Sequence, residues 1–532
     1  MAGFAVLLIA AAIAFTVVRW LALPAVPALL IAGLGLAAIG AVPVELLEDA
    51  LVLGATFLLF VAGNELNPRR TRAQRNTAIR VGTYQFFLLA AIGFAAAAVL
   101  GFGRLDAVYI ALALTASSTL VVVQLLQRRG QLFEPFARLV VGVLLLQDML
   151  VILIIPFVTR VPEGMIATLT GIGGTVALVG LAVACYRWVA PFLLRTVEPE
   201  ILLLGALALL FLFLGITDAL GLPLVTGAFL AGVALSRFPV NAAVRSQLAS
   251  ISDFFSALFY IALGALIGVP TGIQIVHALV LGALVVAITP PLVAAIAERY
   301  GFSGRPAIEA GLLLAQTSEF SLVVGLYGML AGQIGADVFR VIALVTLGTM
   351  MATPFITSDR VVWRLMRLHP VRADVSAAIP ESGHVLLLGS GTTGLPLLET
   401  LVGAGNLVVV VDDDPVIIER LREADIPCIR GDASDVEVLR QAHADRARII
   451  SSTIRRPQDN RRLLEFARGV PILVRVFDEH DAEWIRELGG TPIVYSRAAA
   501  EEMMRWFDAT FATEIEPDRS PIRPSGRTTT GT

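Results

Sequence analysis

Residues 113–119 read Ala113-Leu114-Thr115-Ala116-Ser117-Ser118-Thr119, and residues 144–148 read Leu144-Leu145-Leu146-Gln147-Asp148. Each lies within an apolar stretch of about 20 residues, the length of helix that crosses a bilayer. The first stretch is broken by hydroxyls at Thr115, Ser117, Ser118 and Thr119, and the second carries a carboxylate near its centre. A charge at mid-bilayer depth costs about 2.5 to 3.5 kcal/mol even on the insertion scale, so it is kept for a purpose. Further along, Thr317-Ser318 precedes Glu319 near the centre of another apolar stretch. Small, hydroxyl-rich breaks at mid-membrane in both halves of a chain predict discontinuous helices arranged as inverted repeats, the architecture of a secondary transporter. Other acids, Glu45, Glu48, Glu65, Asp106, Asp218, Asp253, Glu298 and Glu309, fall at or near span ends, where water can solvate them.

The composition agrees with a membrane setting. Of 532 residues, 57% are hydrophobic and only 16% charged, and a mean hydropathy of +0.80 excludes an ordinary soluble protein. Thirteen spans are predicted, near 3–18, 23–42, 46–63, 80–101, 106–126, 139–158, 165–187, 200–218, 222–236, 250–269, 273–298, 306–330 and 337–357. The charges are unevenly placed: 18 Arg and 16 acids precede Ser358, whereas 22 Arg and 27 acids follow it in a much shorter segment. With the N-terminus outside, alternate loops hold 15 of those first 18 arginines and the opposite side only Arg104, Arg160 and Arg340. The positive-inside rule then places everything after Thr357 in the cytoplasm. All 40 basic residues are arginine, which excludes Schiff-base chemistry and an ammonium partner for a buried carboxylate. Cys185 and Cys428 cannot build a disulfide framework, and a net charge of −3 gives no nucleic-acid footprint.

After the spans, Arg360, Arg364 and Arg367 share one helical face and Val361, Leu365 and Leu368 another, which predicts a junction helix lying along the anionic leaflet within 358–382. From His384 the pattern becomes strands alternating with helices. A strand over 384–388 leads into Gly389-Ser390-Gly391-Thr392-Thr393-Gly394, and a second strand ends at Asp412, 18 residues past the third glycine. Glycines at Gly389, Gly391 and Gly394 between a strand and a helix, with an acid near that distance, predict a site where a pyrophosphate meets a helix N-terminus and Asp412 takes the ribose hydroxyls. Strands near 427–430, 448–452, 472–477 and 493–495 complete a predicted six-stranded sheet. The 37 residues that follow Tyr495 in this sequence read as a helix and a Pro/Arg/Thr-rich tail, so the expectation is a ligand-binding unit and not a dehydrogenase, which needs a second domain for its substrate. The expected division is therefore 1–357 membrane domain, 358–382 linker, 383–495 nucleotide-binding domain and 496–532 terminal helix and disordered tail.

Taken together, these stretches resemble the Kef-type branch of the monovalent cation:proton antiporters. Residues 113–119 with Gln124 look like the family's broken helix, and 144–148 look like its ion-site helix. Gly227 to Val233 with Phe255 to Gly264, and Leu314 to Phe320, are similar to its second-repeat signatures. Gly431-Asp432-Ala433, with Thr453 and Asn460, resembles the regulatory TrkA-N (RCK) domain. The fold implied is an all-α membrane domain of about 13 helices, with inverted repeats and crossed discontinuous helices, followed by an α/β Rossmann-like domain. The resemblance implies that Asp148 binds a monovalent cation and a proton in turn, that Thr115, Ser117, Ser118 and Thr119 supply oxygen ligands, and that Gln147 stands where electrogenic relatives carry a second carboxylate. Glu319 lines the ion path or satisfies the ends of the broken helices, with the second role preferred. An adenine nucleotide (AMP, NAD(H) or ATP) held by Gly389, Gly391, Gly394, Asp412 and Asp432 is the implied regulatory ligand, and K+ or Na+ the substrate. The implied setting is a prokaryotic inner membrane, with membrane lipid, a homodimer and an ancillary regulatory subunit as partners. A potassium channel gated by an RCK domain shares the soluble fold, but its TVGYG-like filter is absent; a Na+/H+ antiporter is the other alternative.

Overall fold

The computed structural model describes residues 2–21, 25–38, 44–65, 75–132, 134–193, 199–237, 240–300, 302, 304–368, 374–375, 379–391, 393–454 and 457–511. The chain separates into two compact units, Met1–Pro370 and Val371–Thr532.

In lipid every backbone polar group must be satisfied within the protein, so long apolar segments become helices. The first unit contains α1 (Ala2–Leu21), α2 (Ala25–Ala38), α3 (Val44–Glu65), α4 (Arg75–Val99), α5 (Arg104–Thr115), α6 (Thr119–Arg128), α7 (Pro135–Arg160), α8 (Met165–Ala184) and α9 (Ala190–Leu193). It continues through α10 (Pro199–Ala219), α11 (Leu224–Ala234), α12 (Val240–Ile267), α13 (Gly272–Arg299), α14 (Gly304–Leu313), α15 (Glu319–Leu330), α16 (Ala336–Ile356) and α17 (Asp359–Leu368). A helix or a broken pair runs through each predicted stretch. Seven helical segments among the described residues are long and apolar enough to cross a membrane, the broken α5–α6 pair counting as one; shorter apolar stretches lie within α1, α2, α3, α11, α12 and α15. Ile166, Phe87, Phe211 and Leu279 stand exposed on this unit, as lipid-facing side chains do.

Two packing styles divide the helices. α3 lies against α11 and α12, and α12 against α2. The contacts are backbone to backbone: a Cβ on Gly232 would stand 2.0 Å from the Phe60 carbonyl oxygen, and one on Gly264 would stand 2.2 Å from that of Leu30. Small residues allow this approach where lipid offers no hydrophobic drive between helices. The second group packs α4 on α5, α7 and α13, α13 on α14 and α16, and α15 on α5 and α16. It contains both broken pairs.

Two expectations are corrected here. Glu309 is not a solvated acid at a span end: it is buried in α14, and its Oε1 accepts from Nε of the equally buried Arg305 at 3.0 Å. Breaking such a pair would strand a buried charge. Nor does the junction helix, α17, rest its apolar face on lipid. Val362 of α17 is buried, and Val361 and Leu365 pack beside it on the cluster containing Ile308 and Leu312, so protein covers this apolar face while Arg360 and Arg364 stay exposed.

The second unit is a doubly wound sheet. Its strands are β1 (Asp374–Val375), β2 (Val385–Leu388), β3 (Val408–Asp412), β4 (Cys428–Arg430), β5 (Ile449–Ser452), β6 (Ile472–Val476) and β7 (Thr491–Val494). Its helices are α18 (Gly394–Gly403), α19 (Pro415–Glu423), α20 (Val436–Gln441), α21 (Asn460–Phe466), α22 (Glu479–Glu487) and α23 (Tyr495–Phe511). The strand order is β1-β4-β3-β2-β5-β6-β7, all pairs parallel except β1 on β4. The six-stranded expectation therefore gains a seventh, two-residue antiparallel edge strand, and the last strand ends at Val494, where Tyr495 opens α23. Burial of β2 and β3 on both faces explains why they read as unbroken aliphatic runs. The tail expected to be disordered lies outside the described residues.

Candidate functional site

The break between α5 and α6 places Ala116 and Ser118 in extended conformations, freeing backbone groups in the middle of the unit. Their partners come from far along the chain. Ser117 N–H donates to Gln147 Oε1 at 3.1 Å, and Ser117 Oγ donates to the carbonyl of Leu314, just past α14, at 2.8 Å. In return Ser321 Oγ of α15 donates to the carbonyl of Ala113 near the end of α5. The second break repeats the device: Thr317 N–H donates to Thr349 Oγ1 of α16 at 3.1 Å, and Thr353 Oγ1 donates to Gln316 Oε1 at 3.0 Å. The two broken pairs thus cross and satisfy one another.

Asp148 lies beside this crossing at 4% exposure. Its Oδ2 accepts from Thr119 Oγ1, the first residue of α6, at 2.9 Å, and its Oδ1 has no hydrogen-bond partner among the described residues. Gln147 uses its oxygen on Ser117, and its Nε2 is likewise unpartnered. Glu319, the first residue of α15, interacts with its own backbone N–H and with the Ser118 and Ser318 hydroxyls, the N-cap residues of both half-helices. Its carboxylate therefore lies at two positive helix ends, which favour negative charge. Glu319 and Glu65 are within electrostatic reach of Asp148. Of the hydroxyl run, Ser117, Ser118 and Thr119 serve the crossing or a carboxylate, whereas Thr115 donates to the carbonyl of Leu112 in its own helix at 2.7 Å. A buried carboxylate with one oxygen held by a hydroxyl and the other unpartnered can hold either a proton or a partly dehydrated monovalent cation.

In the second unit the strand order reverses between β2 and β5, the switch point where open α/β sheets bind ligands. The glycine loop follows β2 there. Gly394 opens α18 so close to the loop that a Cβ would stand 2.1 Å from the Gly389 carbonyl oxygen, and Thr453 Oγ1 closes the crevice by donating to that oxygen at 2.7 Å. Asp412 ends β3 and is already engaged by the loop: Oδ2 accepts from Ser390 N–H at 2.5 Å and from Ser390 Oγ at 2.9 Å, and Oδ1 accepts from Asp414 N–H at 2.9 Å. Asp432 follows β4 at the same sheet edge, its Oδ1 accepting from Ser434 N–H at 2.9 Å. Gly391 lies in the loop with open space around its Cα. The start of α18 has no side-chain cap, so its N–H groups suit a phosphate.

A family model described as sodium/hydrogen exchanger, transmembrane, matches residues 5–362, and a TrkA-N domain model matches residues 385–496. The chain belongs to the sodium/hydrogen exchanger family. It is a Kef-type cation:proton antiporter carrying a C-terminal TrkA-N regulatory domain. The glutathione-regulated potassium-efflux system protein KefC of Shigella flexneri is 27% identical over 429 residues, 78% of this chain and 68% of that one. Its counterpart from Klebsiella pneumoniae is 28% identical over 434 residues, with the same coverage. Among solved structures, the TrkA-N domain of inner membrane protein ybaL from Escherichia coli is 25% identical, covering 24% of this chain and 96% of that chain with a TM-score of 0.23.

The antiporter's fold also brings to these sites residues that the sequence reading passes over. Arg475 on β6 reaches the glycine loop, its Nη1 donating to Thr393 Oγ1 at 2.6 Å while its guanidinium lies 5.0 Å from the centre of the Phe477 ring. An arginine alternating with valines in a strand reads as a solvated face; only strand order brings it to the glycine loop. Thr346 and Thr349 of α16 are similar: Thr317 Oγ1 donates to Thr346 Oγ1 at 3.0 Å, a contact with no local signal.

Proposed function

We propose that the antiporter exchanges K+ for H+ one for one, with Asp148 as the shared site. The observation that carries this reading is the buried Asp148 carboxylate, with one oxygen held by Thr119 and the other unpartnered. Protonated, or paired with a monovalent cation, this carboxylate is neutral and can change sides; as a bare anion it meets the full cost of a charge in lipid. That asymmetry couples the two fluxes. Gln147 cannot titrate, and its oxygen holds the broken helix in place. Glu319 is read as the group that ties the two half-helix N-termini together. Potassium is favoured over sodium by the potassium-efflux relatives. The arginine distribution favours an external N-terminus and a cytoplasmic regulatory domain in a bacterial inner membrane.

The TrkA-N unit is proposed to bind an adenine nucleotide and to perform no chemistry on it. Backbone N–H groups at the start of α18 and Arg475 would hold the phosphates, and Asp412, once released from Ser390, the ribose. When bound, the nucleotide supplies charge and hydrogen-bonding groups that reorganise this loop. Asp412→Ala should weaken binding of AMP, ATP, NAD or NADH to the purified full chain in calorimetry; no binding at millimolar concentration would end this reading. For the ion site, proteoliposomes holding Asp148→Asn should fold normally yet lose cation-dependent proton flux with both K+ and Na+. Wild-type exchange in that variant would sink the assignment.

A further inference from the structure

The glycine-packed helices α2, α3, α11 and α12 turn mostly apolar side chains inward, and Tyr260 of α12 is an exception. It is 2% exposed, its ring stands 5.2 Å from Phe259 at 65°, and its hydroxyl has no hydrogen-bond partner among the described residues. Burying a phenol without a partner costs stability that a phenylalanine of nearly the same volume would not, and native proteins keep few such groups without a reason. The charged group within electrostatic reach of Tyr260 is Glu319. Glu319 is itself 5% exposed, and its Oε2 also lacks a partner among the described residues. An unbroken helix and a broken one thus each bury an unsatisfied polar atom, and the two residues lie within electrostatic reach of one another. The hydroxyl neighbours of Glu319, Ser118 and Ser318, sit on the broken pairs, while Glu65 of α3 is a second carboxylate within its electrostatic reach.

We propose that Tyr260 is a further residue of the transport machinery, a positioning residue that acts through Glu319. Its hydroxyl is the donor carried on the glycine-packed helices that meets the free Glu319 oxygen as the broken helices shift during transport. The contact holds Glu319 between the half-helix ends and the α12 wall, so the crossing keeps its carboxylate satisfied while Asp148 changes sides. Tyr260 then bears on the rate of the conformational step more than on cation binding. This inference rests on the ion-site reading, and the two fail separately: Asp148→Asn tests the site, Tyr260→Phe the wall.

The test is exchange in proteoliposomes by Tyr260→Phe, alone and combined with Glu319→Gln, alongside thermal unfolding of each purified protein. Tyr260→Phe removes one oxygen and keeps the ring, so the melting temperature should be unchanged or slightly raised. Its kcat should fall about tenfold, as loss of one hydrogen bond to a charged group would give, with KM for the cation little changed. In the Glu319→Gln background the same substitution should add no further loss. A wild-type kcat in Tyr260→Phe would overturn the proposal. So would an undiminished tenfold loss in the Glu319→Gln background, which would assign Tyr260 to packing.

Discussion

Gln147 and Asp148 are chain neighbours on α7 with different partners, and that difference separates stability from transport. Gln147 accepts from a buried backbone N–H that has left its helix, so Gln147→Leu strands that donor and should lower stability by about 1 to 3 kcal/mol. A depressed melting temperature in detergent would show it; an unchanged one would mean that the break finds another acceptor. Asp148→Asn should leave the melting temperature near that of the wild type while abolishing exchange. In the TrkA-N unit, His384 is fully buried, its Nε2 at 2.9 Å from the Ala442 carbonyl oxygen and its Nδ1 without a partner among the described residues. Burial holds its pKa below the ordinary histidine value, a larger influence than the Ala442 bond that raises it. The unfolded chain thus takes up a proton at a pH, about 6.5, where the folded one does not. Stability of this unit is complete above that pH and declines as pH falls through it. Thermal unfolding of the full chain at pH 7.5 and 5.5 should show the decline, and His384→Gln should flatten it.

The individual elements are legible in sequence to different degrees, for physical reasons. The broken helices declare themselves because hydroxyls inside an apolar run compete with the helix backbone, and 115–119 and 317–319 both show it. Their crossing does not: Ser117 and Leu314 are 197 residues apart, and Ser321 and Ala113 208 apart, so no local pattern links them. The glycine loop and Asp412 are legible because β2, loop and α18 are contiguous, whereas Arg475 reaches the same crevice only through strand order. β1 escapes because two residues carry no periodicity, and Glu309 because a window of sequence shows depth along a helix and not which side faces Arg305. The helices α2, α3, α11 and α12 lie between these extremes: the 227–233 and 255–264 glycines are visible, but their partners are not. Gly232→Val should force α3 and α11 apart, since even its Cβ would meet the Phe60 carbonyl oxygen at 2.0 Å. Overpacking of this kind costs about 1 to 3 kcal/mol where neighbours can yield. Backbone yields poorly, so the variant should show a clearly depressed melting temperature or fail to be recovered from detergent. Gly35→Ala in α2, whose Cβ would meet nothing within 4 Å, is the control that should behave as wild type.

For the whole molecule, the decisive quantity is the charge moved in each cycle. Two independent features of the chain bear on it: Gln147 beside Asp148 removes a second titrating carboxylate, and the absence of lysine from all 532 residues removes an ammonium that an arriving cation could displace. Glu319 stays tied to the N-caps of both half-helices, in the field of two positive helix ends, which makes it a fixed part of the crossing. If one proton leaves Asp148 as one cation arrives, the moving complex carries the same charge in both directions. A membrane potential, worth about 2.3 kcal/mol per charge per 100 mV, then has nothing to act on. Exchange should follow the two concentration gradients alone, with the same rate at 0 and −100 mV when the gradients are held fixed. Solid-supported-membrane recording of the wild type should therefore give no sustained current at ion concentrations where fluorescence reports rapid exchange. Gln147→Asp adds a second carboxylate and should change the pH dependence, with a current appearing if both acids titrate in the cycle. A sustained wild-type current scaling with turnover would contradict the one-for-one mechanism even if Asp148 proved indispensable, and would point to Glu319 as a second titrating group.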